Sequence, residues 1–154
     1  VPEMILAARA MKKGVEVLKP CLAPEHTTAL GKVLIGTVAG DLHDIGKNLV
    51  SMMLENAGFE VIDLGIDVST QKFIDSVTKH PDAVIVALSA LLTTTLPAMR
   101  ETVHALNGQA FRDRIQIMVG GTPVTEEFAK EIGADGYSRD AAEAVVVAKR
   151  LTGV

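Results

Sequence analysis

Lys32-Val33-Leu34-Ile35-Gly36-Thr37-Val38-Ala39-Gly40-Asp41-Leu42-His43-Asp44-Ile45-Gly46-Lys47-Asn48 is the stretch whose reading decides the fold. The β-branched, apolar run Lys32–Ala39 has the make-up of a buried strand. Gly40 to Gly46 is polar and flanked by glycines, which marks a loop. From about Lys47 to Ala57, Leu49, Val50, Met53, Leu54 and Ala57 share one helical face, and Gly58 closes the helix. Strand, loop and helix in that order put the loop at the carboxyl edge of a sheet, where open α/β sheets bind ligands. An imidazole, His43, stands there between two carboxylates, Asp41 and Asp44.

Strand and helix keep alternating beyond this unit. A second strand is predicted at about Glu60–Leu64, with Ser69 capping a helix that ends near Lys79. The third strand is Ala83–Leu88, between Pro81 and Ser89, and a helix from about Leu96 to Leu106 buries Met99, Val103 and Leu106. The fourth strand is Ile115–Val119, running into Gly120-Gly121. Thr125 caps a short helix to Ile132, which Gly133 stops, and a brief fifth strand lies around Gly136-Tyr137. Asp140 with Glu143 forms a capping box for a last helix ending near Leu151. Near-continuous apolar strands separated by helices imply an α/β fold whose parallel sheet is covered on both faces. Right-handed crossovers and the five units give a doubly wound, flavodoxin-like (Rossmann-like) sheet of order 2-1-3-4-5.

Upstream, Val1 to about Lys19 reads as a helix, with Pro2 in its first turn and Met4, Ala8, Met11, Val15 and Leu18 at helical spacing. Pro20–His26 breaks it and reads as a linker, dividing the chain into residues 1–28 and a domain of residues 29–154. The chain opens on Val1 rather than Met, as a piece of a longer protein would.

At 154 residues the chain can bury a sizeable core. A net charge of −4 with an isoelectric point near 5.5 speaks against nucleic acid as a partner. With no Trp and one Tyr, base stacking is poorly served too. The apolar runs are too short and interrupted to span a bilayer, and no secretion signal opens the chain. One cysteine, Cys21, excludes an internal disulfide and fits a reducing cytoplasm, where it reads as a small, half-buried apolar residue. His26, His80 and His104 read as solvent-facing, His80 near a helix C-terminus, and Met99 and Met118 as core.

The loop fails the phosphate-binding patterns. Five residues separate Gly40 from Gly46 where a Walker A loop needs four, Asn48 replaces its hydroxyl, and Asp41 and Asp44 would repel a polyphosphate. The three glycines of a dinucleotide fingerprint are absent, and Ser89 stands where a response regulator carries its phosphoacceptor Asp. A metal ligand or a proton relay suits the loop better, since a carboxylate orients an imidazole and fixes its tautomer. A lone loop histidine is also commonly a surface or capping group. No second His or Cys lies at ligand spacing, so a structural zinc site is unsupported. One nitrogen completes a coordination sphere only if another molecule supplies the other donors, which points to a macrocycle.

Asp41-x-His43-x-x-Gly46, then Ser89-Ala90-Leu91 after the third strand and Gly120-Gly121 after the fourth, resemble the cobalamin-binding signature. The wider text, Gly40–Asn48 and Leu88–Thr95, is similar to the corrinoid proteins of methylamine- and methanol-type methyltransferase systems, relatives of the cobalamin domain of methionine synthase. The resemblance covers about Pro2 to Leu151 and implies a methyl carrier rather than a complete enzyme. Its cofactor would be cobalamin or a related corrinoid, cycling between methylcobalamin and cob(I)alamin and bound base-off, His-on. His43 would be the lower axial cobalt ligand, with Asp41 bonded to its other nitrogen and Thr95, where relatives have a serine, extending a proton relay. Gly40, Leu42, Asp44, Ile45 and Gly46 would complete the loop around the cofactor. Ser89 would contact the displaced nucleotide tail, Leu91 and Thr93 would line its slot, Gly120 and Gly121 would admit it, and Tyr137 and Ala141 would close the far end. Lys47 and Asn48 would serve the helix start, within reach of corrin amide or phosphate groups. The implied partners are a substrate:corrinoid methyltransferase, a corrinoid:acceptor methyltransferase and a reductive activase. The first helix would be the last of a helical cap, its bare stripe inviting homodimerisation. The competing readings are a cobalamin subunit of an adenosylcobalamin-dependent mutase, a cobalamin-sensing regulatory domain, and a cofactor-free interaction domain.

Overall fold

The structure, a computed structural model, describes residues 30–153. The helix expected over Val1–Lys19, the linker with Cys21 and His26, and the boundary near residue 28 lie outside the described residues. Within them, β1 (Lys32–Val38), α1 (Ile45–Ala57), β2 (Glu60–Val68), α2 (Thr70–Lys79), β3 (Ala83–Ser89), α3 (Leu96–Asn107), β4 (Gln116–Gly120), α4 (Glu126–Ile132), β5 (Gly136–Ser138) and α5 (Ala141–Thr152) follow one another. All strand pairs are parallel, in the order β2-β1-β3-β4-β5. The expected topology is the one observed.

Strand alternation sorts the core into two layers. Leu34, Val86, Leu88, Ile117 and Val119 face one side, where Phe73 and Val77 of α2, Met99, Val103 and Leu106 of α3, and Ala129 and Ile132 of α4 cover them. Val33, Ile35, Ile85, Ala87 and Met118 face the other, against Leu54 of α1 and Ala144, Val147 and Ala148 of α5. Met99 and Met118 are core as expected, His104 is exposed, and His80 is half-buried at the C-cap of α2.

Caps set the helix starts. Ser69 Oγ accepts from Lys72 N at 3.1 Å, and Thr125 Oγ1 from Phe128 N at 3.0 Å. Asp140 Oδ1 accepts from Glu143 N at 2.8 Å, while Glu143 reaches back to Arg139 N, one residue short of a full capping box. Two boundaries differ from expectation by more than one residue. Helix α1 begins at Ile45, which takes Gly46 out of the loop and into the first turn. Strand β2 runs on to Val68 because it is bulged against β1 at two points, between Asp63 and Gly65 and between Gly65 and Val68. Alternating hydrophobicity loses its phase at a bulge, so the strand reads as shorter than it is.

Phe73 is fully buried beneath β1 and β2. Phe73→Ala should lower the free energy of unfolding by about 3–5 kcal/mol, read from urea denaturation of the cofactor-free protein.

Candidate functional site

The strand register aligns the motif residues. Thr37 stands opposite Ser89, Ser89 opposite Gly120, and Gly120 opposite Ser138, one row across the carboxyl edge of four neighbouring strands. The His43 loop leaves β1 at one end of this row. Thr37 Oγ1, fully buried, donates to His43 O at 2.9 Å and ties the loop to its own strand.

Asp41 is the centre of the loop. Its side chain is fully buried and its carboxylate accepts from five donors. His43 N at 3.1 Å and His43 Nδ1 at 2.8 Å meet Oδ1. Leu91 N at 2.7 Å, Leu92 N at 3.3 Å and Thr95 Oγ1 at 2.8 Å meet Oδ2. Thr95 occupies the N-cap position of α3, yet its hydroxyl makes no capping bond. It also lies 2.9 Å from Leu92 O, but one hydroxyl proton goes to the stronger acceptor, the ionised carboxylate. Burial pushes the Asp41 pKa up; the bonds from Leu91 N, His43 and Thr95 outweigh it and hold the carboxyl well below the usual range.

An ionised carboxylate only accepts, so His43 Nδ1 must carry a hydrogen and the neutral ring turns a lone pair outward on Nε2. The ring is half exposed. Among the described residues no group of three or more His, Cys, Asp or Glu side chains could hold a metal ion, so Nε2 is a solitary donor. Around it, Leu42 and Ile45 are 65% and 86% exposed, and Leu91 and Leu92 are exposed as well. Asp44 stands at the N-cap of α1 without a capping bond, and of the two flanking carboxylates only Asp41 bonds the ring.

Beside the loop, a cleft of about 290 Å³ opens between α1 and α5 over the ends of β3, β4 and β5. Gly46, Leu49, Ser89, Gly120, Gly121 and Ala141 line it, above a floor that includes Ile35, Ala87 and Met118. A Cβ on Gly46 would meet nothing within 4 Å. Gly121 is different: at φ +130° its Cβ would fall 1.8 Å from Ala90 O, so the tight approach of the β4 and β3 exits already demands glycine.

Two expectations need correcting. Leu91 and Thr93 do not line the cleft; both are exposed on the turn before α3, and Leu91 contributes its backbone N–H to Asp41. Tyr137 does not close the cleft, because it packs on the opposite face of the sheet, and its neighbour Ser138 takes that place. Lys47 stands in the first turn of α1 and among the residues lining the cleft, as expected of a residue at the helix start. It is buried, with its ammonium 2.8 and 2.7 Å from the Asp63 oxygens and 2.8 Å from Asn48 Oδ1. Ser138, Thr122 and Arg139 line the cleft without having been singled out; the register of Ser138 with Gly120 is the signal that finds it.

Residues 31–146 match the B12 binding domain family. By that match and by its relatives, the chain belongs to the B12-binding domains, and within them to the corrinoid proteins of methylamine- and methanol-type methyltransferase systems. It is 46% identical over 153 residues to dimethylamine corrinoid protein 3 of Methanosarcina mazei, covering 98% of this chain and 90% of that protein. It is 46% identical over 148 residues to trimethylamine corrinoid protein 2 of Methanosarcina acetivorans, covering 94% and 67%. The monomethylamine corrinoid protein of Methanosarcina barkeri superposes with a TM-score of 0.76 at 35% identity, over 98% of this chain and 71% of that one. A chain of the methanol:cobalamin methyltransferase complex MtaBC of the same organism gives 0.79 at 31%, over 99% and 58%. The chemotaxis response regulator CheY4 of Vibrio cholerae, at 18% identity and a TM-score of 0.59 over 79% of this chain and 98% of that one, shares the fold alone. Among the described residues no helix is long and apolar enough to cross a membrane.

Asp41→Asn turns an amide N–H toward donors whichever way it is placed. It should lower the free energy of unfolding at pH 7 by about 1.5–3 kcal/mol in urea denaturation. The folded carboxyl titrates below its unfolded value of about 3.9. The difference between native protein and variant should therefore be constant above about pH 5 and shrink as the pH falls below about 4.

Proposed function

We propose that the chain is the methyl carrier of a corrinoid-dependent methyltransferase system, with His43 Nε2 as the lower axial cobalt ligand in a base-off, His-on arrangement. The observation that carries this is the 2.8 Å bond between His43 Nδ1 and Asp41, which leaves Nε2 a solitary outward donor among the described residues. A macrocycle is the partner that a solitary donor fits, because it brings its own equatorial donors. The exposed side chains of Leu42, Ile45, Leu91 and Leu92 suit an extended apolar face around that nitrogen. The cleft beside it suits a narrow tail, with Ser89 and Ser138 as polar contacts and Gly46 leaving room.

The bound corrinoid supplies a cobalt centre that accepts and gives up the methyl group. The protein's residues orient and tune. Asp41 keeps the Nδ1 proton in place, and Thr95 with the Leu91 N–H keeps Asp41 ionised. The chain is a carrier and not an enzyme by itself. One methyltransferase loads it from a substrate, a second passes the group to an acceptor, and a reductive activase maintains the cofactor, all in the cytoplasm.

Reconstitution with hydroxocobalamin tests this. The native protein should retain the corrinoid through gel filtration with a visible spectrum distinct from that of the free cofactor. His43→Ala, a change at a half-exposed ring, should fold normally and give a different spectrum; an unchanged one with bound methylcobalamin would falsify the ligand assignment. Gly46→Ala separates fold from ligand. In a helix it should raise the stability of the cofactor-free protein by about 0.5–1 kcal/mol while weakening hydroxocobalamin binding.

A further inference from the structure

Both ends of the His43 loop are gripped by one strand. At the start, Gly40 N donates to Asp67 Oδ1 at 2.7 Å, and Asp67 N donates to Asp41 O at 3.0 Å. Asp67 therefore holds the Gly40–Asp41 main chain through two bonds, one of which it accepts and one of which it donates. At the far end, the Lys47 ammonium, 2% exposed, meets both carboxylate oxygens of Asp63, and Asp63 Oδ1 also accepts from Gly65 N at 2.8 Å. Asp63 and Asp67 both belong to β2, whose bulges lie between them.

Asp67 is strained to do this. At φ +49° it is the sole non-glycine residue with positive φ among the described residues. Only Asn and Asp tolerate that region with any ease. The core does not call for it: Asp67 is exposed, and the next helix takes its cap from Ser69. Strain kept beside a ligand loop, where packing does not demand it, points to work done at that loop. Asp41 is then fixed twice, its carboxylate by the β3 exit through Leu91 and Thr95, its carbonyl by Asp67.

We propose that Asp67, seconded by the Lys47–Asp63 pair, is a positioning clamp that sets where His43 stands at the carboxyl edge of the sheet. Its meaning for cofactor binding rests on the reading of His43 as the cobalt ligand, but the clamp itself can be scored without cofactor. Asp67→Asn keeps the Oδ1 acceptor and tolerates the left-handed backbone. Asp67→Gly keeps the backbone and drops the acceptor. Asp67→Ala drops both, and if it fails to fold, Asp67→Gly decides.

Two readouts apply to each variant. The first is the nitrogen-15 signal of the His43 ring in the cofactor-free protein, which reports the Nδ1–H bond to Asp41. The second is hydroxocobalamin affinity and visible spectrum. Asp67→Asn should match the native protein in both. Asp67→Gly should move or broaden the His43 signal and weaken hydroxocobalamin binding about three- to tenfold, the loss of one well-made hydrogen bond. Native ring signal and affinity in both Asp67→Gly and Asp67→Ala would overturn the clamp, as would an Asp67→Asn variant as impaired as Asp67→Gly. If native protein and His43→Ala give identical corrinoid spectra, the cobalt-ligand reading fails, and the ring signal of the cofactor-free series still decides the clamp.

Discussion

A carboxylate with no exposure to water is the constraint on which the site depends. Asp41 gives up its hydration entirely and regains it as five hydrogen bonds from His43, Leu91, Leu92 and Thr95. Desolvating a charge is tolerable only when it is replaced in this way. Three of the five come from residues 50 to 54 positions away, so the carboxylate joins the exit of β1 to the exit of β3. Its effect is chemical as well as structural: an acceptor that cannot donate dictates which nitrogen of His43 is protonated.

The sheet prepares the ground for this contact. Parallel strands deliver their loops to one edge, and the register sets Thr37, Ser89, Gly120 and Ser138 side by side. The apolar rim and the cleft then occupy adjoining parts of that edge, one over the β1 and β3 exits, the other over β3 to β5. Gly121 shows how little slack remains, since the Ala90 carbonyl already fills the place of a side chain. A residue that looks reserved for a ligand is here required by the protein itself.

Order, topology and most caps were legible in the sequence because each helix and strand repeats its own period and ends on a residue suited to ending it. Asp41, His43 and Thr95 were legible as a group because three short motifs occur in order at strand exits. The roles of Leu91 and Leu92 were not, since a backbone N–H leaves no mark on the identity of its residue. Tyr137 was assigned to the wrong face because a strand of three residues offers no alternation from which to set its phase. The Lys47–Asp63 pair spans sixteen residues and two elements, and nothing local in either segment announces the other.

Strand β2 also has to live at the border of the sheet among the described residues, with one side of its backbone unpaired. Such borders recruit other strands and seed aggregation unless charge or irregularity spoils the match. Here Glu60, Asp63 and Asp67 put negative charge along the strand, and the two bulges break its straight run. The irregular, acidic border that grips the histidine loop is thus a poor template for a neighbouring chain. A smoother β2 would leave the protein both slacker at its site and more adhesive at its rim.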